Sequence, residues 1–154
     1  MSEAWRRYGA RHPLPPLLGD VKDIAIEELH RRLAEEGFET VRPGHGCVFR
    51  FIDRDGSRLT ELAAKSGFTK QAVGEFADDL ERLGYVERVP DPGDRRAKII
   101  RLADRGSDSQ EAAMRIFADI EHRWAERYGQ ERIAQLREML EEIVAAERAP
   151  AAAA

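Results

Sequence analysis

The chain has 154 residues and a mass of 17.4 kDa, which is the size of a single domain. Its composition, 42% hydrophobic and 35% charged, excludes collagen-like, mucin-like and wholly disordered chains. No apolar run approaches the roughly 18 residues of a membrane span, and the first residues lack the apolar stretch of a signal peptide. We therefore expect a cytoplasmic protein without a membrane partner, and its one cysteine agrees with a reducing compartment.

The N-terminal part is predicted to hold an extended arm followed by a helix. Residues 1–20 contain three prolines and end at Gly-Asp, which is typical of an arm. From there an apolar residue recurs every four positions, at Val21, Ala25, Leu29 and Leu33. This period predicts a helix with Asp20 as its N-cap and Gly37 as its end. The apolar run 47–52 is interpreted as a further short helix.

Two short helices separated by a glycine come next. The first is predicted over 60–66 with Thr60 as its N-cap, and the second is capped by Thr69 and runs to Leu83. A small residue at Ala63 lets the helices pack closely across each other. Gly67 supplies a positive φ at the turn, and Val73 locks the helix pair against the core. This spacing is typical of a helix-turn-helix.

A charged β-hairpin follows the two helices. Residues 85–89 and 97–102 alternate as strands do, and the turn residues between them predict a hairpin with a long, charged tip. Residues 57–101 hold nine basic and eight acidic residues, a net charge of +1 against −4 for the whole chain. The segments 65–71 and 95–98 are nearly free of acid. Nucleic-acid binding depends on the field at the docking surface, so these two segments are the candidates for it.

The remaining residues are predicted to be helical. Ser107 is interpreted as the cap of a long helix with an apolar stripe at Ile116, Ile120, Trp124 and Tyr128. Gly129 separates it from a last helix, and residues 148–154 are predicted to be a disordered tail. The predicted fold is mainly α with a small β-hairpin wing, an α+β winged helix-turn-helix over 45–103. The helices at 20–38 and 107–147 are the predicted dimerisation helices of this single domain.

Four segments carry a resemblance to a known family. They are Leu-Thr-Glu-Leu-Ala at 59–63, Thr-Lys-Gln-Ala-Val at 69–73, Leu-Glu-Arg-Leu-Gly-Tyr-Val-Glu-Arg at 80–88 and Asp-Pro-Gly-Asp-Arg-Arg-Ala-Lys at 91–98. Over roughly residues 20–145 the chain resembles the MarR family of bacterial transcriptional regulators. The resemblance implies an obligate homodimer that binds a pseudo-palindromic duplex. It also implies repression relieved by a small anionic or phenolic effector, although an activator or a constitutive repressor stays open.

The resemblance also implies roles for individual residues. Thr69, Lys70 and Gln71 would begin the recognition helix in the major groove. Arg96 would enter the minor groove, oriented by Asp94. The phosphate contacts expected from the wing and from the turn are those of Arg95, Lys98, Lys65 and Ser66. The run 74–79 departs from the pattern, because many relatives carry hydroxyl and basic residues there, where this chain has Gly-Glu-Phe-Ala-Asp-Asp.

The sequence gives little support for metal binding or enzymatic activity. The four histidines lack metal-ligand spacing, and no phosphate loop or Ser-His-Asp set appears, so we expect no metal, no cofactor and no enzyme. Cys47 lies in an apolar segment and is interpreted as inert packing. Two alternatives stay open: a winged helix that binds proteins rather than DNA, and a redox-sensing regulator that acts through Cys47.

Overall fold

The computed structural model describes residues 12–148, in which six helices and one β-hairpin follow each other along the chain. The chain divides into two compact units, Met1–Met114 and Arg115–Ala154. The elements are α1 (Leu14–Glu35), a 3₁₀ turn (Pro43–His45), α2 (Gly46–Phe49), α3 (Leu59–Ser66), α4 (Lys70–Arg82), β1 (Val86–Asp91), β2 (Asp94–Leu102), α5 (Asp104–Tyr128) and α6 (Gln130–Arg148). The prediction of a mainly helical chain with a β-hairpin wing is confirmed.

Helix α1 begins earlier than predicted. It starts at Leu14, so Asp20 lies inside it and the extended arm expected over 1–20 is wrong for residues 14–20. The helix tolerates Pro15 and Pro16 because the first N–H groups of a helix have no intrahelical acceptor to lose. The predicted end at Gly37 is confirmed, with φ +89. Residues 1–11 of the expected arm lie outside the described part of the chain.

The helix-turn-helix forms as expected, with one different cap. Helix α3 begins at Leu59, so Thr60 is not its N-cap; instead the Arg58 N–H donates to Glu61 Oε2 at 2.9 Å. Thr69 is confirmed as the cap of α4, because its Oγ1 accepts from the Ala72 N–H at 3.1 Å. The turn glycine between the helices has φ +74. The buried side chains that hold the two helices together are Leu62, Val73, Ala77 and Leu80.

The wing is a tighter hairpin than predicted. Strands β1 and β2 pair antiparallel as far as Asp91 and Asp94, so only the Pro92-Gly93 step connects them and the expected long tip is wrong. Pro90 fits because β1 is an edge strand, while β2 also pairs with Ser57 on its other side. The Ser57 and Ile100 backbones exchange two hydrogen bonds of 2.9 Å. The wing is thereby joined to the segment that leads into α3.

The C-terminal helices follow the predicted pattern, with one changed boundary. Helix α5 begins at Asp104, so Ser107 lies within its first turn and is not its cap. The predicted break at Gly129 is confirmed, with φ +102. No residue of α6 is buried, and residues 149–154 of the predicted tail lie outside the described range. Among residues 12–148, no helix combines the length and the apolar character that crossing a membrane requires.

Candidate nucleic-acid interface

The first turn of α4 presents polar side chains at an exposed helix N-terminus. Lys70 and Gln71 are both exposed directly after the Thr69 cap. Lys70 makes no ion pair with any residue of the described segment 12–148. Gln71 Nε2 donates to Glu75 Oε1 at 3.2 Å, one turn further along the helix. A helix N-terminus carries partial positive charge, so this end of α4 favours a phosphate or a base-edge acceptor.

The two turn residues predicted to contact phosphates already have partners within the chain. Lys65 Nζ lies 2.8 Å from Asp53 Oδ2, and this ion pair holds the pKa of the Asp53 carboxyl below its usual range. Ser66 Oγ donates to the Ala63 carbonyl and accepts from the Phe68 N–H, both at 3.3 Å. The hydroxyl therefore shapes the turn. Of the predicted contacts in this region, Lys70 is the most available.

The wing carries three exposed cations, Arg95, Arg96 and Lys98, and none of them forms an ion pair within the described residues. Asp94 Oδ1 accepts from the backbone N–H of Arg96 at 3.0 Å. The Asp94 carboxylate therefore bonds to the backbone at the start of β2 and not to the Arg96 guanidinium. This arrangement leaves the Arg96 side chain available to a ligand.

Asp91 is one of the two acidic residues at the wing turn, and the chain compensates its charge. Its carboxylate accepts from the Gly93 N–H at 2.8 Å and from Arg58 Nε at 2.6 Å, and these two donors hold the pKa of Asp91 below its usual range. Arg58 precedes α3, so this ion pair ties the wing to the start of the helix-turn-helix. The sequence analysis assigned Arg58 no role, because its partner lies 33 residues away along the chain.

The acidic residues in the second half of α4 are also paired. Arg88 of β1 bonds to Asp78 at 2.5 Å and to Glu81. Asp79 accepts from Arg42, Arg82 and His45. Much of the acidic charge of α4, which would repel DNA, is thus compensated by arginines of the same unit. Arg88 and Arg42 were also missed, since they lie in the strand and in the connection after α1.

His45 is the buried residue that joins the 3₁₀ turn to α4. Its side chain is fully enclosed, with Nε2 2.8 Å from Asp79 Oδ2 and Nδ1 3.1 Å from the Arg42 backbone nitrogen. Because Nδ1 accepts from a backbone N–H, the proton of the neutral ring lies on Nε2 and is donated to Asp79. Burial lowers the pKa of His45, against the opposing effect of Asp79. The Arg82 hydrogen bond, with those of His45 and Arg42, holds the pKa of Asp79 at about 2 despite burial.

The lowered pKa of His45 predicts a loss of stability in mild acid. The unfolded chain binds a proton near pH 6.5, whereas the folded ring resists it, so the free energy of unfolding decreases as the pH falls below about 6.5. A single proton limits the pH dependence of the free energy of unfolding to about 1.4 kcal/mol per pH unit.

Urea denaturation of the wild type and of His45→Gln between pH 7.5 and 5 measures this pH dependence. The substitution should flatten the slope, while His122→Gln, at an exposed site on α5, should leave it unchanged. Equal slopes in wild type and His45→Gln would contradict this assignment.

The surroundings of Cys47 disfavour a redox role, and the histidines belong to no set of metal ligands within the described residues. The Cys47 side chain is buried, and burial raises the pKa of its thiol, which disfavours the reactive thiolate. Across residues 12–148, no group of three or more His, Cys, Asp or Glu side chains is arranged to hold a metal ion.

Comparison with known proteins agrees with this geometry. The MarR family model matches residues 41–97, which run from the connection after α1 through α4 into β2. CouR bound to a 23-mer DNA duplex is 26% identical, with a TM-score of 0.69 over 86% of this chain and 92% of CouR. CouR from Rhodococcus jostii RHA1 bound to p-coumaroyl-CoA is 25% identical, with a TM-score of 0.64 over 82% and 88% of the two chains.

A more distant relative shares the fold alone. A mutant of MepR from S. aureus, bound to an oligodeoxyribonucleotide, is 19% identical, with a TM-score of 0.58 over 90% of this chain and 100% of MepR. No curated protein sequence matches the chain. The family-model match across the winged helix and the fold shared with CouR over most of the chain make this protein similar to the MarR family of winged-helix transcriptional regulators.

Proposed function

We propose that the protein is a homodimeric, sequence-specific repressor that binds double-stranded DNA through α4 and the wing. The observation that carries this proposal is the group of three unpaired cations on the wing, Arg95, Arg96 and Lys98. In this proposal Arg96 enters the minor groove, and its two basic neighbours contact phosphates. Thr69, Lys70 and Gln71 enter the major groove, with Lys65 and Ser66 at its edge.

The internal ion pairs support this proposal despite the negative net charge. Asp91 is neutralised by Arg58 beside the wing turn, and Arg88 neutralises two acids of α4. The chain as a whole carries −4, so two copies carry −8. Binding must therefore depend on local contacts between cations and phosphates, and these contacts weaken as salt is added.

The exposed apolar side chains of two helices support a homodimer. Helix α1 shows Leu14, Leu17, Val21 and Ile24 to solvent, with Ile24 61% exposed. Helix α6 shows Leu136, Met139, Ile143 and Val144. Apolar faces of this kind mark interaction surfaces. We assign the helices within 20–38 and 107–147 to dimerisation, which would set two recognition helices ~34 Å apart, one turn of a pseudo-palindromic duplex.

Repression relieved by a small effector completes the proposal. CouR is the relative solved both with DNA and with p-coumaroyl-CoA, a ligand that is anionic and phenolic. We propose that a small anionic or phenolic compound releases this protein from its operator. Such a compound acts only if it binds one arrangement of the two recognition helices more tightly than the other.

Removal of Arg96 tests the assignment of the wing. Arg96→Ala should weaken binding to the operator by about 1–3 kcal/mol, because it removes a contact of the scale of one good base or groove contact. Thermal unfolding should not change, since the side chain has no partner within the described residues. Fluorescence anisotropy measures the affinity, with Arg54→Ala, at an exposed site before α3, as a control that removes the same charge. Wild-type affinity in Arg96→Ala would contradict the wing assignment.

A further inference from the structure

We propose that Glu75 reads a cytosine of the operator through the amino group of that base. This inference rests on the proposed function, because it assigns a base contact to the same interface. It concerns a residue in the run 74–79, where the chain departs from the family pattern.

The ionic environment of Glu75 differs from that of the other acids of α4. Asp78 and Glu81 bond to Arg88, and Asp79 is held by two arginines and a histidine. Glu75 is exposed, and within residues 12–148 its carboxylate bonds only to the Gln71 amide. The chain therefore compensates three of the four acids on this helix and leaves the charge of Glu75 without a cation.

Glu75 lies on the face of α4 that points away from the core. Val73, Ala77 and Leu80 are fully buried on the opposite face. Gln71 and Glu75 are one turn apart, so they lie side by side on the outward face, next to the N-terminal turn that carries Lys70. A helix that inserts this end into a major groove brings both side chains to the base edges.

The chemistry of the pair restricts what it can bind. A carboxylate only accepts hydrogen bonds, so Gln71 faces it with its amide nitrogen and keeps its own carbonyl oxygen as an acceptor. Phosphates, guanine and the thymine carbonyl present acceptors and repel such a group. Adenine presents its amino group beside the N7 acceptor, whereas cytosine presents the N4 amino group alone. Cytosine is therefore the base whose major-groove edge matches Glu75.

Base-resolved binding of matched variants tests the proposal. The wild type first selects a duplex from a randomised pool, and anisotropy competition then measures every single base-pair change in that duplex. When one particular cytosine of each half-site is replaced, the wild type should bind roughly 5- to 150-fold more weakly, which is the scale of one good base contact. Glu75→Ala, which removes the acceptor, should abolish the cytosine preference at that position and leave the other positions unchanged. Glu39→Ala, which removes the same side chain and charge outside α4, should retain the wild-type preferences.

Two results would overturn the proposal while leaving the DNA-binding function intact. If Glu75→Ala bound every duplex more tightly by the same factor, Glu75 would be a repulsive charge without a role in reading bases. If the variant kept the cytosine preference of the wild type, another residue would read that base. A wild type that selects no duplex would instead overturn the proposed function, and this inference with it.

Discussion

Gly106→Ala is expected to lower the free energy of unfolding by about 3 kcal/mol, although glycine-to-alanine changes within helices ordinarily stabilise proteins by up to about 1 kcal/mol. A Cβ at this position would lie 2.0 Å from the Tyr85 carbonyl oxygen and 3.0 Å from its carbon. That carbonyl also accepts from the Ala103 N–H at 3.0 Å, so it belongs to the backbone junction between the wing and α5. Backbone atoms cannot rotate away as a flexible side chain does. The added methyl group must therefore displace the start of α5.

Gly74→Ala provides the matched control, because it makes the same change in another helix with the opposite expected sign. Its Cβ would make ordinary contact with Leu59, so the gain in helix propensity should raise stability by up to about 1 kcal/mol. Urea denaturation of both variants and the wild type measures the difference. Equal effects of the two substitutions would show that the close approach of Gly106 to Tyr85 does not constrain the fold.

Replacing all three unpaired wing cations is expected to produce the largest loss of DNA affinity. Arg95→Ala, Arg96→Ala and Lys98→Ala combined should weaken operator binding by about 100-fold or more. Each lost phosphate contact should also reduce the salt dependence, by about 0.9 in the slope of log K against log salt. Thermal unfolding should remain that of the wild type, since the three side chains are exposed.

The salt dependence separates this prediction from a general effect of charge. A control variant removes three exposed cations elsewhere, with Arg50→Ala and Arg54→Ala between α2 and α3 and Arg148→Ala at the end of α6. It should retain most of the affinity and of the salt slope. If both triple variants lost affinity and slope equally, net charge rather than the wing would govern binding.

Features that depend on residues close together in the chain could be predicted from the sequence. The Thr69 cap and the turn at Gly67 depend on residues within a few positions, and both are confirmed. The start of α1 was missed because prolines are typical both of an arm and of the first turn of a helix. The length of the wing tip was missed because turn residues were counted as loop, whereas strand pairing extends to Asp91 and Asp94.

The electrostatic organisation of the interface could not be predicted from local patterns. Arg58 and Asp91 are 33 residues apart, and Arg42 and Asp79 are 37 apart, so only the fold brings each pair together. From the sequence alone, α4 is an acidic helix that should repel DNA. In the folded unit, arginines from β1 and from the connection after α1 neutralise most of that charge, and the cations of the wing stay unpaired.

The most direct test of the central claim is the binding of the wild-type protein to a duplex that it selects from a randomised pool. Fluorescence anisotropy against this duplex and a scrambled duplex, at two salt concentrations, measures both specificity and the electrostatic contribution. We predict tight binding to the selected duplex, much weaker binding to the scrambled one, and a steep loss of affinity with added salt. Failure to select any duplex, with no binding even at low salt, would contradict a DNA-binding function and favour a winged helix that binds proteins.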